Sequence, residues 1–85
     1  MNVNVEYFAQ LRTAAGVTCE SYLLPGSATV SDLLTHIRQR HPSLFGSDET
    51  IPSWITFVLR EQTVGSDHPL QDGDTVRCLS PISGG

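Results

Sequence analysis

The residues best suited to chemistry are the last ones. The chain ends "SPISGG", and Gly84 and Gly85 carry no side chains. Such a segment can enter a channel too narrow for a Cβ and lie flat against another protein's backbone. Its terminal carboxylate is an anion at neutral pH, with an ordinary pKa of about 3.3–3.7. In that form it is neither an electrophile nor a sulfur donor. Adenylation by ATP would make it an electrophile. Sulfide attack on the acyl-adenylate would then give a thiocarboxylate, whereas amine or thiol attack would give a conjugate. Pro81 cannot donate to a sheet ladder and stiffens the exit of the segment. From Pro81 to Gly85 the arm reaches about 17 Å at ~3.3 Å per residue.

Other reactive side chains are poorly arranged. His36, His41 and His68 have no metal-ligand spacing, and His36 and His41 are five apart, off the register of one helical face. "DHPL" before "DGD" reads as turn scaffolding rather than acid–base machinery. Ser80 and Ser83 have no base at a recognisable spacing. Cys19 and Cys78 form no CxxC pair and are expected to be small core thiols. Trp54 reads as a packed aromatic. No self-contained catalytic site emerges, and no bound cofactor or metal is expected.

The elements that would hold the arm follow from the pattern. "NVNVEYF" alternates, with Val3, Val5 and Tyr7 on one face. "AQLRTAAGVT" leads to a turn at Gly16, and "TCESYLL" returns as a second strand. Thr29 is an N-cap with Asp32 in capping-box position. Val30, Leu33, Leu34 and Ile37 make one helical face, ending near His41 because Pro42 disfavours helix there. "SLFGSDETIPS" is a polar connection with room for one short helical turn. "WITFVLREQTV" reads as a third strand with Ile55, Phe57 and Leu59 inward. Asp72-Gly73 supplies a turn, and "TVRCLS" is the closing strand, with Val76 and Cys78 inward.

A hairpin, a covering helix and further strands predict an α+β fold of β-grasp type, ubiquitin-like, with a mixed sheet and one main helix packed on one face. The first and last strands should run parallel in its middle. Residues 1–80 would be the domain and 81–85 the extended arm. Phe8, Val58 and Leu79 should share the outer sheet face, an apolar patch suited to an interface, with Arg12 and Arg77 nearby. The formal charge is −4, from nine carboxylates and five arginines, with no lysine. That excludes the basic footprint of a nucleic-acid binder and suits a basic protein partner. No apolar run is long enough for a membrane span and no signal-peptide layout is present, so a cytoplasmic protein is expected.

With "YFAQLRTAAG", "TVSDLLTHIRQRHP", "DHPLQDGDTV" and the "SPISGG" end, the chain resembles the small, sulfur-carrying subunits of molybdopterin synthase nearly end to end. The related thiamin sulfur carriers share the fold and the Gly-Gly end but are shorter. The resemblance implies that Gly85 is adenylated by an E1-like partner that consumes ATP, and then becomes a thiocarboxylate with sulfur from a sulfurtransferase. It also implies that the arm (Pro81, Ile82, Ser83, Gly84, Gly85) enters a large synthase subunit in a two-plus-two heterotetramer. There sulfur passes to cyclic pyranopterin monophosphate. Two departures stand out. Leu59-Arg60 occupies the place of a common valine-asparagine pair, so Arg60 is a candidate to adjust the docking surface. Cys78 and Leu79 replace residues that are often aromatic. A ubiquitin-like protein modifier, a carrier for thiamin or cysteine synthesis, and an interaction module with an inert tail are the alternatives.

Overall fold

The computed structural model describes residues 1–42, 44 and 55–79. The chain opens with β1 (Asn2–Tyr7), whose alternation buries Val3, Val5 and Tyr7 completely. β2 (Cys19–Leu23) pairs antiparallel with it, from Asn2 opposite Leu23 to Glu6 opposite Cys19. Between them lies α1 (Gln10–Ala15), a short helix where the sequence showed only a turn. Six residues with one buried anchor, Leu11, are too few to display a helical period. The expected turn is its end: Gly16 takes φ 78°, and its N–H donates to the Arg12 carbonyl at 3.0 Å.

The main helix, α2 (Val30–Arg40), starts on the expected capping box. The Asp32 N–H donates to Thr29 Oγ1 at 3.4 Å, and the Thr29 N–H donates to Asp32 Oδ2 at 2.8 Å. Two further donors of the first turn find the "SDHPL" loop: Val30 N–H reaches the His68 carbonyl at 3.0 Å and Ser31 N–H the Ser66 carbonyl at 2.7 Å. The loop is thus scaffolding for the helix start, as its turn chemistry suggested. Val30, Leu33, Leu34 and Ile37 are buried, and the helix stops with His41 as its C-cap.

The segment read as one third strand is a hairpin, β3 (Thr56–Leu59) and β4 (Gln62–Val64), with Leu59 opposite Gln62. Arg60 and Glu61 form the two-residue turn with φ 51° and 65°. Such turns match the twist of the strands but normally use Asn-Gly or Asp-Gly. Without those letters the turn is hidden in the sequence. Trp54, most of the preceding connection and the arm lie outside the described residues.

β5 (Thr75–Leu79) closes the sheet, parallel to β1 and antiparallel to β3. The strand order is β2-β1-β5-β3-β4, the mixed β-grasp sheet expected, with β1 and β5 at its centre. Ile55, Phe57, Leu59, Val76 and Cys78 complete the core beneath α2. Cys19 corrects the expectation of two core thiols: it is exposed, on the face away from the helix, whereas Cys78 is fully buried. Among the described residues no helix is long and apolar enough to cross a membrane.

Candidate functional site at the exit of the arm

The described residues end at Leu79, the last residue of β5. Because β5 lies between β1 and β3, this end has a strand on either side. Leu79 is opposite Thr56 on β3 and, one step beyond the Tyr7–Cys78 pair, level with Phe8. Phe8 is 38% exposed, while Leu79 and Val58 are half-buried. Continuing the β1–β2 register brings Val17, also exposed, level with Phe8; the Tyr7 N–H donates to the Thr18 carbonyl at 2.8 Å. Sequence reasoning missed Val17, although its place opposite Phe8 follows once the hairpin register is known.

Phe8 stays outside because the chain turns sharply behind it. Ala9 has φ 53° and ψ −124°, a conformation costing a residue with a Cβ roughly 1–3 kcal/mol. The turn sends Leu11 into the core at 1% exposure, and the Leu11 N–H donates to the Phe8 carbonyl at 3.1 Å. The buried leucine offsets the strain and leaves the aromatic ring beside the arm's exit. Arg12 sits exposed on α1.

Farther down the same face a transverse row crosses the sheet: Cys19, Glu6, Arg77, Val58 and Thr63 are successive cross-strand neighbours. Arg77 Nε donates to Glu6 Oε1 at 3.2 Å. Next to this row Arg60 grips Asp74 with two bonds, Nε to Oδ1 at 3.2 Å and Nη2 to Oδ2 at 2.9 Å. Asp74 Oδ2 also accepts the Gln71 N–H at 2.7 Å. Burial pushes the Asp74 pKa up, but these hydrogen bonds outweigh it and hold the carboxyl below its usual range. Val58, Arg60, Thr75 and Arg77 line a shallow groove of about 250 Å³ here. Phe8, Val58, Arg60, Arg77 and Leu79 therefore fall on one outer face, with Arg12 at its margin. Pro81, Ile82, Ser83, Gly84 and Gly85 lie outside the described residues.

The helix-facing side of the same strands carries a polar cluster that the sequence reading did not find. Glu20 Oε2 accepts from Tyr7 Oη at 2.9 Å and Tyr22 Oη at 2.7 Å, and His41 Nε2 lies 2.8 Å from Oε1. Arg40 stacks 4.4 Å over the Tyr22 ring. Burial raises the Glu20 pKa, but the bonds from Tyr22, His41 and Tyr7 prevail and lower it overall. Burial is also the first cause that lifts both tyrosines, Tyr22 to about 12. The one available signal was parity: Glu20 shares a strand face with buried Tyr22. The cluster is closed over by its own partners and ties β1 and β2 to the end of α2. Burial alone lifts the Cys78 thiol to about 12, which keeps it protonated and inert beside the exit.

Among the described residues of the two regions no nucleophile–base pair is formed, and the outer face presents apolar and charged contact area. The ThiS family model matches residues 5–85. The molybdopterin synthase sulfur carrier subunit of Chlamydomonas reinhardtii is 34% identical over 87 residues, covering all of both chains. Among solved structures, SAMP1 of Haloferax volcanii, a small archaeal modifier protein, superposes with a TM-score of 0.90 at 27% identity over the whole of both chains. A putative molybdopterin converting factor subunit 1 of Pyrococcus furiosus gives a TM-score of 0.81 at 34% identity, covering 96% of this chain and 99% of its own.

Proposed function

Because the chain belongs to the ThiS family, we propose that it is the sulfur carrier subunit of molybdopterin synthase, with Gly85 as its working residue. The observation that carries this reading is the full-length match to a sulfur carrier subunit of that synthase. Residues 1–80 serve as the handle and 81–85 as the arm. An E1-like enzyme binds the handle and presents the Gly85 carboxylate to ATP. A carboxylate oxygen attacks the α-phosphorus, pyrophosphate leaves, and an acyl-adenylate forms. Sulfide then attacks the acyl carbon, the bond to the AMP oxygen breaks, and the thiocarboxylate remains.

The arm next enters the large synthase subunit. Gly84 and Gly85 admit it to a narrow channel, while Pro81, Ile82 and Ser83 run along the approach. Phe8, Val58 and Leu79 supply the apolar contact area of docking, and Arg12, Arg60 and Arg77 border it with charge. The thiocarboxylate sulfur bonds to cyclic pyranopterin monophosphate, water attacks the Gly85 acyl carbon and breaks its bond to sulfur, and the carboxylate returns for another cycle. The chain is a co-substrate and a subunit in a two-plus-two assembly, and the catalytic groups belong to its partners.

The likeness to SAMP1 favours a second reading, a protein modifier joined through Gly85 to lysines of other proteins. Both begin from the same adenylate. A strain lacking its own carrier separates them: restored dithiolene synthesis supports the carrier, and lysine adducts without restoration support the modifier. Appending one alanine after Gly85 should abolish restoration while leaving the fold intact. Unchanged cofactor production by that variant would refute the proposal.

A further inference from the structure

Activated glycine carboxyls react with amines, and any amine on the carrier itself would be a candidate acceptor. None of its 85 residues is lysine; its cationic side chains, apart from histidine, are five arginines. A guanidinium stays protonated and is no acyl acceptor at neutral pH. The remaining amine is that of Met1, and the fold occupies it. Its ammonium group donates to the Leu24 carbonyl at 2.7 Å, and the Leu24 N–H donates back to the Met1 carbonyl at 2.9 Å. The Met1 side chain also packs against the core. Attack by this amine requires breaking that bond and giving up a proton.

The sheet topology also protects against ring closure. β1 and β5 are parallel, so Met1 lies at the end of the sheet opposite Leu79. Leu79 is level with Phe8, which places Met1 about 23 Å away along the strand at ~3.3 Å per residue. The six residues after Leu79 reach about 20–22 Å even when fully extended.

We infer that the chain is a one-way acyl carrier: an activated Gly85 can be passed to another protein, but no group of this chain receives one as a stable amide. No conjugate it makes therefore contains one copy joined to another by an amide, and a charged carrier is not consumed by its neighbours. In the disfavoured step an amine nitrogen would bond to the Gly85 carbonyl carbon, the bond to the AMP oxygen or thiolate would break, and the amine proton would pass to water. Acyl transfer to the exposed Cys19 thiol gives a thioester, which a further thiol or amine reverses.

The inference rests on Gly85 being the group that is activated, but its test needs no partner enzyme, so a failure of sulfur transfer would leave the result unaffected. The chain is made with a C-terminal thioester by intein cleavage and held folded, at high concentration, under conditions where free lysine couples to it. Products are treated with hydroxylamine, which clears thioesters and spares amides, and weighed intact. The expected result is monomer only, as the free acid and the hydroxamic acid that hydroxylamine leaves at Gly85, with neither amide dimer nor cyclised monomer. The variant Gln39→Lys, altered at an exposed site on α2, should form an amide dimer mapped to residue 39. An amide dimer or ring from the unaltered chain, mapped to Met1, would overturn the inference. So would a Gln39→Lys variant that yields no more dimer than the unaltered chain.

Discussion

Glu6 and Glu20 sit on neighbouring strands, on opposite faces of one sheet, and meet opposite fates. Glu20 faces the helix and is surrounded: two tyrosine hydroxyls and a histidine nitrogen lie within 2.9 Å of its oxygens. Glu6 faces outward and has one ion pair, with Arg77, at 3.2 Å, in which both side chains remain more than a third exposed. The inner face has spent its polar groups on the fold. The outer face keeps its own available, together with Phe8 and the exit of the arm. A carrier that visits several partners needs this division, because docking must not disturb the strands that hold the arm.

Substitutions should divide the same way. Glu20→Ala leaves two tyrosine hydroxyls and His41 without their shared acceptor, and should cost about 3 kcal/mol in urea unfolding. Asp74→Asn breaks the charged half of the Arg60 grip and should cost about 2 kcal/mol by the same measurement. Both carboxyls have folded pKa values below the usual range. The stability they contribute is therefore complete above their unfolded pKa, about pH 4, and fades as pH falls through the folded values. A Glu20→Gln, Asp74→Asn double variant should show a flatter loss of stability in acid.

Relief of backbone strain should act in the other direction. Glu61 has φ 65°, where glycine is at ease, so Glu61→Gly should gain about 1 kcal/mol. The smallest effect on folding is expected from Arg77→Ala, within about 0.5 kcal/mol, because half-exposed ion pairs contribute little. The same variant should weaken binding to the large synthase subunit, read by calorimetry. An Arg77 variant that unfolds as readily as the Glu20 variant would erase the contrast between the faces.

What could be read from the sequence shows where physical signals are local. Alternation in "NVNVEY" and the i, i+3, i+4, i+7 spacing of Val30, Leu33, Leu34 and Ile37 gave the central strand and the helix. The Thr29–Asp32 capping box gave the helix start. Three features depended on context instead. α1 is held by a single buried leucine, and the β3–β4 turn uses Arg-Glu where the usual letters are absent. The Glu20 cluster joins residues 7, 20, 22 and 41, which only the folded sheet brings together. Cys19 was misplaced because a cysteine in a strand carries no mark of its face, and here the strand's register puts it outside. The outer patch could be anticipated because Phe8, Val58 and Leu79 follow simple parity, whereas Val17 needed the hairpin register.

The central claim is that Gly85 is charged with sulfur by another protein. Intact-mass spectrometry tests it most directly, after incubation with an E1-like activating enzyme, ATP and a sulfur donor. The account predicts a mass increase equal to the exchange of one oxygen for sulfur, placed at Gly85 by fragmentation and absent without ATP. An unchanged mass under conditions that charge a related carrier, or sulfur found on Cys19 in place of Gly85, would contradict it.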